Sequence, residues 1–189
     1  MTEMTSRIAP LEPPYDPDTE AALSRWMPPG SPIEPLRLFR TLVVHDTLAS
    51  RMRPLGSGIL GSSARVPAPL REVMIHRTCA ITGAEYEWGV HAVAYGRPLG
   101  LSDEQLRSTV EGSPTDACWS HEQALVLRLA DELHLTSSVS DELWDALARC
   151  FSDAQLLELI ATAGWYHVIA YICNAARVQR EPWAERFAR

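Results

Sequence analysis

The sequence contains no CxxC pair, and its four cysteines, Cys79, Cys118, Cys150 and Cys173, lie 39, 32 and 23 positions apart. That spacing suits neither a structural zinc site nor a redox dithiol, so they read as ordinary buried thiols. No apolar run approaches the roughly 18 to 20 residues that cross a bilayer, and the opening residues Met1 to Arg7 lack the apolar stretch of a signal peptide. A cytoplasmic protein with no membrane partner is expected. Basic charge is scarce, with 17 Lys and Arg against 24 Asp and Glu, for a net charge of -7 and a pI near 5.3. The arginines are scattered rather than striped, which leaves no electrostatic basis for binding nucleic acid. Segments rich in Val, Ile and Thr bounded by Asn-Gly or Asp-Gly are missing, so no hairpin is expected. What remains is an average globular composition, 46% hydrophobic and 22% charged over 189 residues, enough for one well-cored domain without disulfides or metal.

Proline is unevenly spread. Pro10, Pro13, Pro14, Pro17, Pro28, Pro29, Pro32 and Pro35 put eight of the 14 prolines into the first 35 residues, which predicts a mostly extended arm. One short helix interrupts it: Asp16 can cap it, Pro17 suits its first position, Ala21, Ala22, Leu23 and Trp26 give an apolar stripe, and Pro28-Pro29 stops it. Residues 36–189 form the single main domain. A helix is predicted from about Pro35 to Met52, because Leu36, Phe39, Val43, Thr47 and Leu48 recur at three and four residues. The small-residue stretch Pro54 to Pro67 reads as a turn-rich connection with a short helix at most.

Beyond Pro69 every segment reads as helix. Ser102 with Gln105, Ser120 with Gln123 and Ser152 with Gln155 are capping-box pairs. Ser140 before Asp141 and Glu142 is a fourth cap, with acids in the first turn where the helix dipole favours them. About eight helices and an all-α bundle follow.

The chemistry concentrates between Arg71 and His91, read as two helices meeting near Gly83. Glu87 and His91 are four apart and share a helix face. If the two helices pack antiparallel about Gly83, Glu72 returns level with them. Two carboxylates and a histidine would then converge, and environments that push their pKa values apart would let one act as acid and another as base. Plainer readings stand beside this one. Glu72 can pair with Arg71, Arg77 or His76 at a surface, and Glu87 with His91 can be a surface pair or half of a metal site, although no third ligand follows at helical spacing. Cys79 lies two turns after Glu72 near the same face, as an outside candidate for thiol chemistry. Tyr86, Trp165 and His167 are candidates to line a substrate pocket, with core packing as the alternative. Arg97 could hold a substrate carboxylate or be solvated.

The spacing Glu72, Ala84, Glu87, His91 resembles that of the alkylhydroperoxidase AhpD-like and carboxymuconolactone decarboxylase families. In the AhpD-like peroxidases both middle positions are cysteines, where this sequence has Ala84 and Glu87. The run Glu85-Tyr86-Glu87-Trp88 before His91, then Gly100-Leu101-Ser102, resembles the decarboxylase branch, and Leu156 to Gly164, Tyr166 and Asn174 resemble the second half of these proteins. The resemblance spans Leu36 to Val178. It implies an AhpD-like helical bundle, a homo-oligomer (dimer, trimer or hexamer), no cofactor and no metal. It further implies acid/base chemistry on a small carbonyl or lactone acid as in carboxymuconolactone decarboxylation, with Glu72, Glu87 and His91 as catalytic residues. The alternatives are an AhpD-like peroxidase of peroxiredoxin type and a noncatalytic oligomer retaining the fold.

Overall fold

The computed structural model describes residues 5–28, 30–31 and 33–187. The expectations resting on Met1 to Met4, Pro29 and Pro32 lie outside the described residues. The described residues contain nine α-helices, one 3-10 turn and one π-type turn, with no strand among them. Helix α1 (Pro17–Ser24) starts as its sequence requires: the Asp16 carboxylate accepts from the backbone N–H groups of Asp18 and Thr19 at 3.0 Å, with proline at the first position. Leu23 is its buried anchor, and Trp26 just beyond it packs on Phe39 with ring centroids 5.0 Å apart.

The helix expected over 35–52 is broken in two. Helix α2 (Arg37–Leu42) passes through a 3-10 turn (Val43–His45) into α3 (Asp46–Leu60). The break falls at His45, whose φ of -118° and ψ of 77° leave the helical region, and whose Nδ1 accepts from the Leu48 N–H to cap α3. Helix α3 then runs through Pro54 to Leu60, where the sequence predicted a turn-rich connection. Proline's φ is compatible with a helix and forfeits one hydrogen bond. Burial of Ala49, Gly56 and Ile59 on one face of α3 offsets that loss.

The remaining helices are α4 (Ala68–Ile81), α5 (Glu85–His91), α6 (Asp103–Glu111), α7 (His121–Thr136), α8 (Asp141–Ala148) and α9 (Asp153–Ala176). All three capping boxes form, at Ser102, Ser120 and Ser152, and the Ser140 hydroxyl accepts from the Leu143 N–H. Helix α4 is the central element, packed on α5, α6, α7 and α9, with Val73, Met74, Ile75 and Cys79 entirely buried. Each such side chain contributes about 1.5–3 kcal/mol relative to exposure. Helix α9 is, by length and composition, apolar enough to cross a bilayer, which corrects the expectation that no segment reaches that length. Half of its most apolar window is buried, and α9 packs on α3, α4, α5, α7 and α8, so its hydropathy suits a core position.

The first and last described segments both pack on this bundle. The arm is pinned where Arg7 N–H donates to the Ala176 carbonyl at 2.8 Å and Arg40 Nη1 meets Glu12 Oε2 at 2.7 Å. Residues 179–187 form a strap, held where Glu181 Oε1 accepts from the Arg37 N–H at 2.6 Å and from the Tyr86 hydroxyl at 2.7 Å.

Candidate active site

Gly83 turns the chain between α4 and α5 at a φ of +68°, a left-handed conformation that costs glycine little. The turn closes with Ala84 N–H donating to the Cys79 carbonyl at 2.8 Å. Helix α5 therefore returns along α4, and Glu72, near the start of α4, comes level with His91 at the end of α5. His91 Nδ1 donates to Glu72 Oε2 at 2.9 Å. On the other side of the ring, Nε2 lies 3.1 Å from the Tyr166 hydroxyl on α9 and 3.5 Å from Glu87 Oε1. The three residues singled out in the sequence are thus brought together by one turn, and α9 contributes a fourth. After His91 the helix widens into a π-type turn (Ala92–Gly96), whose Tyr95 stacks on His91 with ring centroids 4.8 Å apart. Such turns re-aim side chains and recur at functional sites.

Burial sets the electrostatics. Glu72 is fully buried, and His91 and Glu87 nearly so. Desolvation alone would make His91 neutral, but the Glu72 carboxylate and its hydrogen bond, with Glu87 beyond, outweigh it and raise the His91 pKa to about 10. The same pairing works in reverse on Glu72: burial opposes ionisation, yet the charge and hydrogen bond of His91 hold its pKa below the usual carboxylate range. At neutral pH the pair is imidazolium and carboxylate. His76, one turn after Glu72 and fully buried, is pushed down to about 4, chiefly by desolvation. Its Nδ1 donates to the Glu72 backbone carbonyl at 2.7 Å, so the ring is neutral with hydrogen on Nδ1. Burial, and then the charges of Glu87 and Glu72, push the Tyr166 hydroxyl well above its ordinary pKa and keep it protonated. Glu72 Oε1, His76 Nε2 and Glu87 Oε2 have no hydrogen-bond partner in the protein, although each is buried. They are three of the six buried side-chain polar atoms without such a partner among the described residues, the others being on Tyr15, Arg40 and Arg71, and their grouping around one imidazole calls for an explanation.

A cavity of about 240 Å³ opens beside this group. Glu87, His91 and Tyr166 line it, as do Arg25 and Arg53, and Trp26, Phe39, Tyr95, Trp165 and Trp183 give it aromatic walls. Of the three residues expected to line a pocket, Trp165 does so. Tyr86 does not: its hydroxyl donates to Glu181 and accepts from the Leu38 N–H at 3.0 Å, so it anchors the strap. His167 is turned to the outer face of α9, where its Nε2 lies 3.0 Å from His134 Nδ1. Arg97 ties Asp103 and Glu185 together and stands away from the cavity. Glu185 in turn crosses α5 at Gly89, where any side chain would strike the Glu185 carbonyl. The strap so held carries Trp183 to the cavity wall. Arg77, a possible surface partner for Glu72, instead forks onto Asp131 at 2.6 and 3.1 Å. Among the described residues no group of three or more His, Cys, Asp or Glu side chains is arranged to hold a metal ion.

Cys79 is fully buried on α4 and does not line the cavity. Burial and the nearby Glu87, Cys173 and Glu72 push its thiol well above the ordinary pKa, the reverse of what a nucleophilic thiolate requires. Cys173 is buried likewise, whereas Cys118 and Cys150 are half-exposed, against the expectation of four buried thiols. The sequence reading missed Tyr166 as a partner of His91 and Tyr95 as its neighbour; His76, named there as a surface partner of Glu72, lies beside it but fully buried. Tyr95 carries a local signal, sitting four residues after His91.

No protein-family model matches the chain, and no curated protein matches it. Solved structures do. A cysteine-to-alanine variant of the debrominase Bmp8, in complex with 2,3,4-tribromopyrrole, is 18% identical, with a TM-score of 0.75 over 95% of this chain and 94% of that one. An uncharacterized peroxidase-related protein from Silicibacter sp. TM1040 is 13% identical, with a TM-score of 0.75 over the whole of both chains. An Agrobacterium tumefaciens protein of unknown function, named for the antioxidant defence protein AhpD, is 16% identical, with a TM-score of 0.62 over 70% of this chain and 89% of that one. The chain therefore has an AhpD-like all-helical fold, as the motif spacing implied.

Proposed function

We propose that the protein is a cofactor-free acid/base enzyme acting on a small carbonyl or lactone acid, in the manner of a carboxymuconolactone decarboxylase. The observation that carries the reading is the hydrogen-bonded line from Glu72 through His91 to Tyr166 and Glu87, which ends on an apolar cavity with no cysteine on its wall. His91, held cationic by Glu72, is the proton store. Glu87, which lines the cavity and has one carboxylate oxygen without a partner in the protein, exchanges a proton with the substrate carbon. Tyr166 accepts from the imidazolium and directs its own hydrogen at a carbonyl oxygen, stabilising the negative charge that develops there. In a decarboxylation the bond from carbon to the departing carboxylate breaks, its electron pair moves into the conjugated carbonyl, and carbon dioxide leaves. The enolate then takes a proton at carbon from the Glu87–His91 pair, which solvent replenishes.

A thiol peroxidase is the second reading, suggested by the AhpD-like fold and its peroxidase-related neighbour. The buried, neutral Cys79 opposes it. The two readings separate on single variants assayed against a butenolide carrying both a ring carboxylate, which departs, and an acetic acid side chain, which is retained, and against hydrogen peroxide. Glu87→Gln and His91→Gln should each lower turnover of the lactone acid by roughly 10²- to 10⁴-fold, with Cys79→Ser near wild type. Peroxide consumption abolished by Cys79→Ser and untouched by the other two would overturn the acid/base reading. We propose in addition a homo-oligomer: Leu157, Val168 and Tyr171 are exposed along one face of α9 and form an apolar row for a second copy to cover. If neither activity nor ligand binding responds to any of these variants, the noncatalytic reading replaces both.

A further inference from the structure

Two arginines stand at the cavity with no carboxylate to meet them. Arg25 caps the end of α1, and Arg53 lies on α3, which packs against α1. Both line the cavity. Arg53 Nε donates to the Arg25 backbone carbonyl at 2.5 Å, which fixes the Arg53 guanidinium against the arm. Neither guanidinium is within ion-pair distance of an acid among the described residues, whereas Arg40, Arg77 and Arg97 each are. Two like charges at one apolar wall, without a counter-ion, raise the local potential for an anion. Guanidinium groups match a carboxylate in shape as well as in charge. The same cavity is walled by Trp26, Phe39, Trp165 and Trp183, and flat faces of this kind favour a planar ligand.

We infer that the proline-rich arm and α3 together supply an anion subsite, Arg25 from the arm and Arg53 from α3, and that the ligand is a planar conjugated carboxylate held by these two arginines at one end. Its reacting carbon points to Glu87, His91 and Tyr166 at the other. The inference rests on the proposed acid/base reading for what happens at that second end, and the carboxylate held by the arginines is one the reaction retains. It also gives the arm, which lies outside the resemblance seen in the sequence, a role in substrate selection.

Benzoate and its uncharged counterpart benzyl alcohol are suitable probes, titrated into the full chain and followed by intrinsic tryptophan fluorescence, since three tryptophans line the cavity. The wild type should prefer benzoate. The double variant Arg25→Gln/Arg53→Gln should bind benzoate roughly ten- to a hundred-fold more weakly, with benzyl alcohol unchanged, and Arg53→Lys should restore part of the preference. Equal binding of the two probes by the wild type, or a benzoate preference that survives in the double variant, would overturn the subsite. Binding is read without turnover, so loss of the anion preference leaves the acid/base reading standing. Conversely, a failure of the Glu87 and His91 variants to affect chemistry leaves the subsite standing.

Discussion

Glu72→Gln isolates the charge that organises the site. Glutamine keeps the shape of the side chain and an oxygen that can accept from His91 Nδ1, so the 2.9 Å contact can persist while the negative charge is lost. The main influence on His91 then becomes desolvation, which favours the neutral ring. Its pKa should fall from about 10 to the ordinary value near 6.5 or below. A fall of that size corresponds to about 5 kcal/mol, and breaking one side of a buried pair costs about 3–5 kcal/mol. The variant should therefore lose about 3–5 kcal/mol of stability at pH 7, a large share of the roughly 5–15 kcal/mol of a typical domain. For a chain of this size that is a fall in Tm of roughly 6–20 °C. The sign follows from linkage: His91 has a raised pKa when folded, so the pair's contribution is full below about 6.5 and is lost as pH rises through about 10. The gap in Tm between wild type and variant should narrow over that window. Imidazole ¹⁵N shifts, which separate the doubly protonated ring from a neutral tautomer, report the charge of His91 directly. A wild-type His91 that is neutral at pH 8, or a Glu72→Gln protein in which it remains cationic there, would refute the reasoning.

Stability should also fall on the acid side, because protonating the buried His76 is opposed down to about 4. Its contribution is present above about 6.5 and is lost as pH falls, with a cost on the order of 3 kcal/mol once the ring is charged; a Tm profile from pH 4 to 10 should peak near pH 6.5, and His76→Gln should flatten its acid limb. Gly89→Ala should dislodge the strap by forcing Glu185 away from α5, detected as exposure of Trp183 and faster proteolysis of residues 179–187, with Glu87 and His91 unmoved; an unchanged proteolysis pattern would contradict the close packing. Tyr86→Phe removes the donor to Glu181 and should cost about 1–3 kcal/mol by leaving that acceptor short of a partner, measured by denaturant unfolding, without changing benzoate affinity by more than a few fold.

Helix starts and the motif geometry were legible because both are local. A serine with glutamine three residues later states its own hydrogen bonds, and all three such pairs formed as boxes. Glycine at residue 83 and the interval from Glu72 to His91 were enough to bring the two helices back on each other. Tertiary forces decided the rest. Pro54 signalled a stop, yet α3 continued through it because its apolar face had something to bury against. Tyr86 and His167 were reasonable pocket candidates by residue type, but the first was claimed by Glu181 and the second faced outward, which no periodicity in a mostly apolar helix such as α9 reveals. Arg25 and Trp26 near one end of the chain and Trp183 near the other reach the cavity through long-range packing, and sequence proximity carries no trace of it.

The central claim is that the cavity performs proton transfer through His91 and Glu87 rather than thiol chemistry. Its most direct test is ¹H NMR in D₂O of a butenolide acetic acid incubated with the protein, following exchange of the acidic C–H next to the lactone carbonyl system. The account predicts washout of that proton by the wild type and by a Cys79→Ser/Cys173→Ser variant, slowed by about 10²-fold or more in Glu87→Gln and His91→Gln. Exchange that survives both of those substitutions, or that disappears with the cysteines instead, would contradict it.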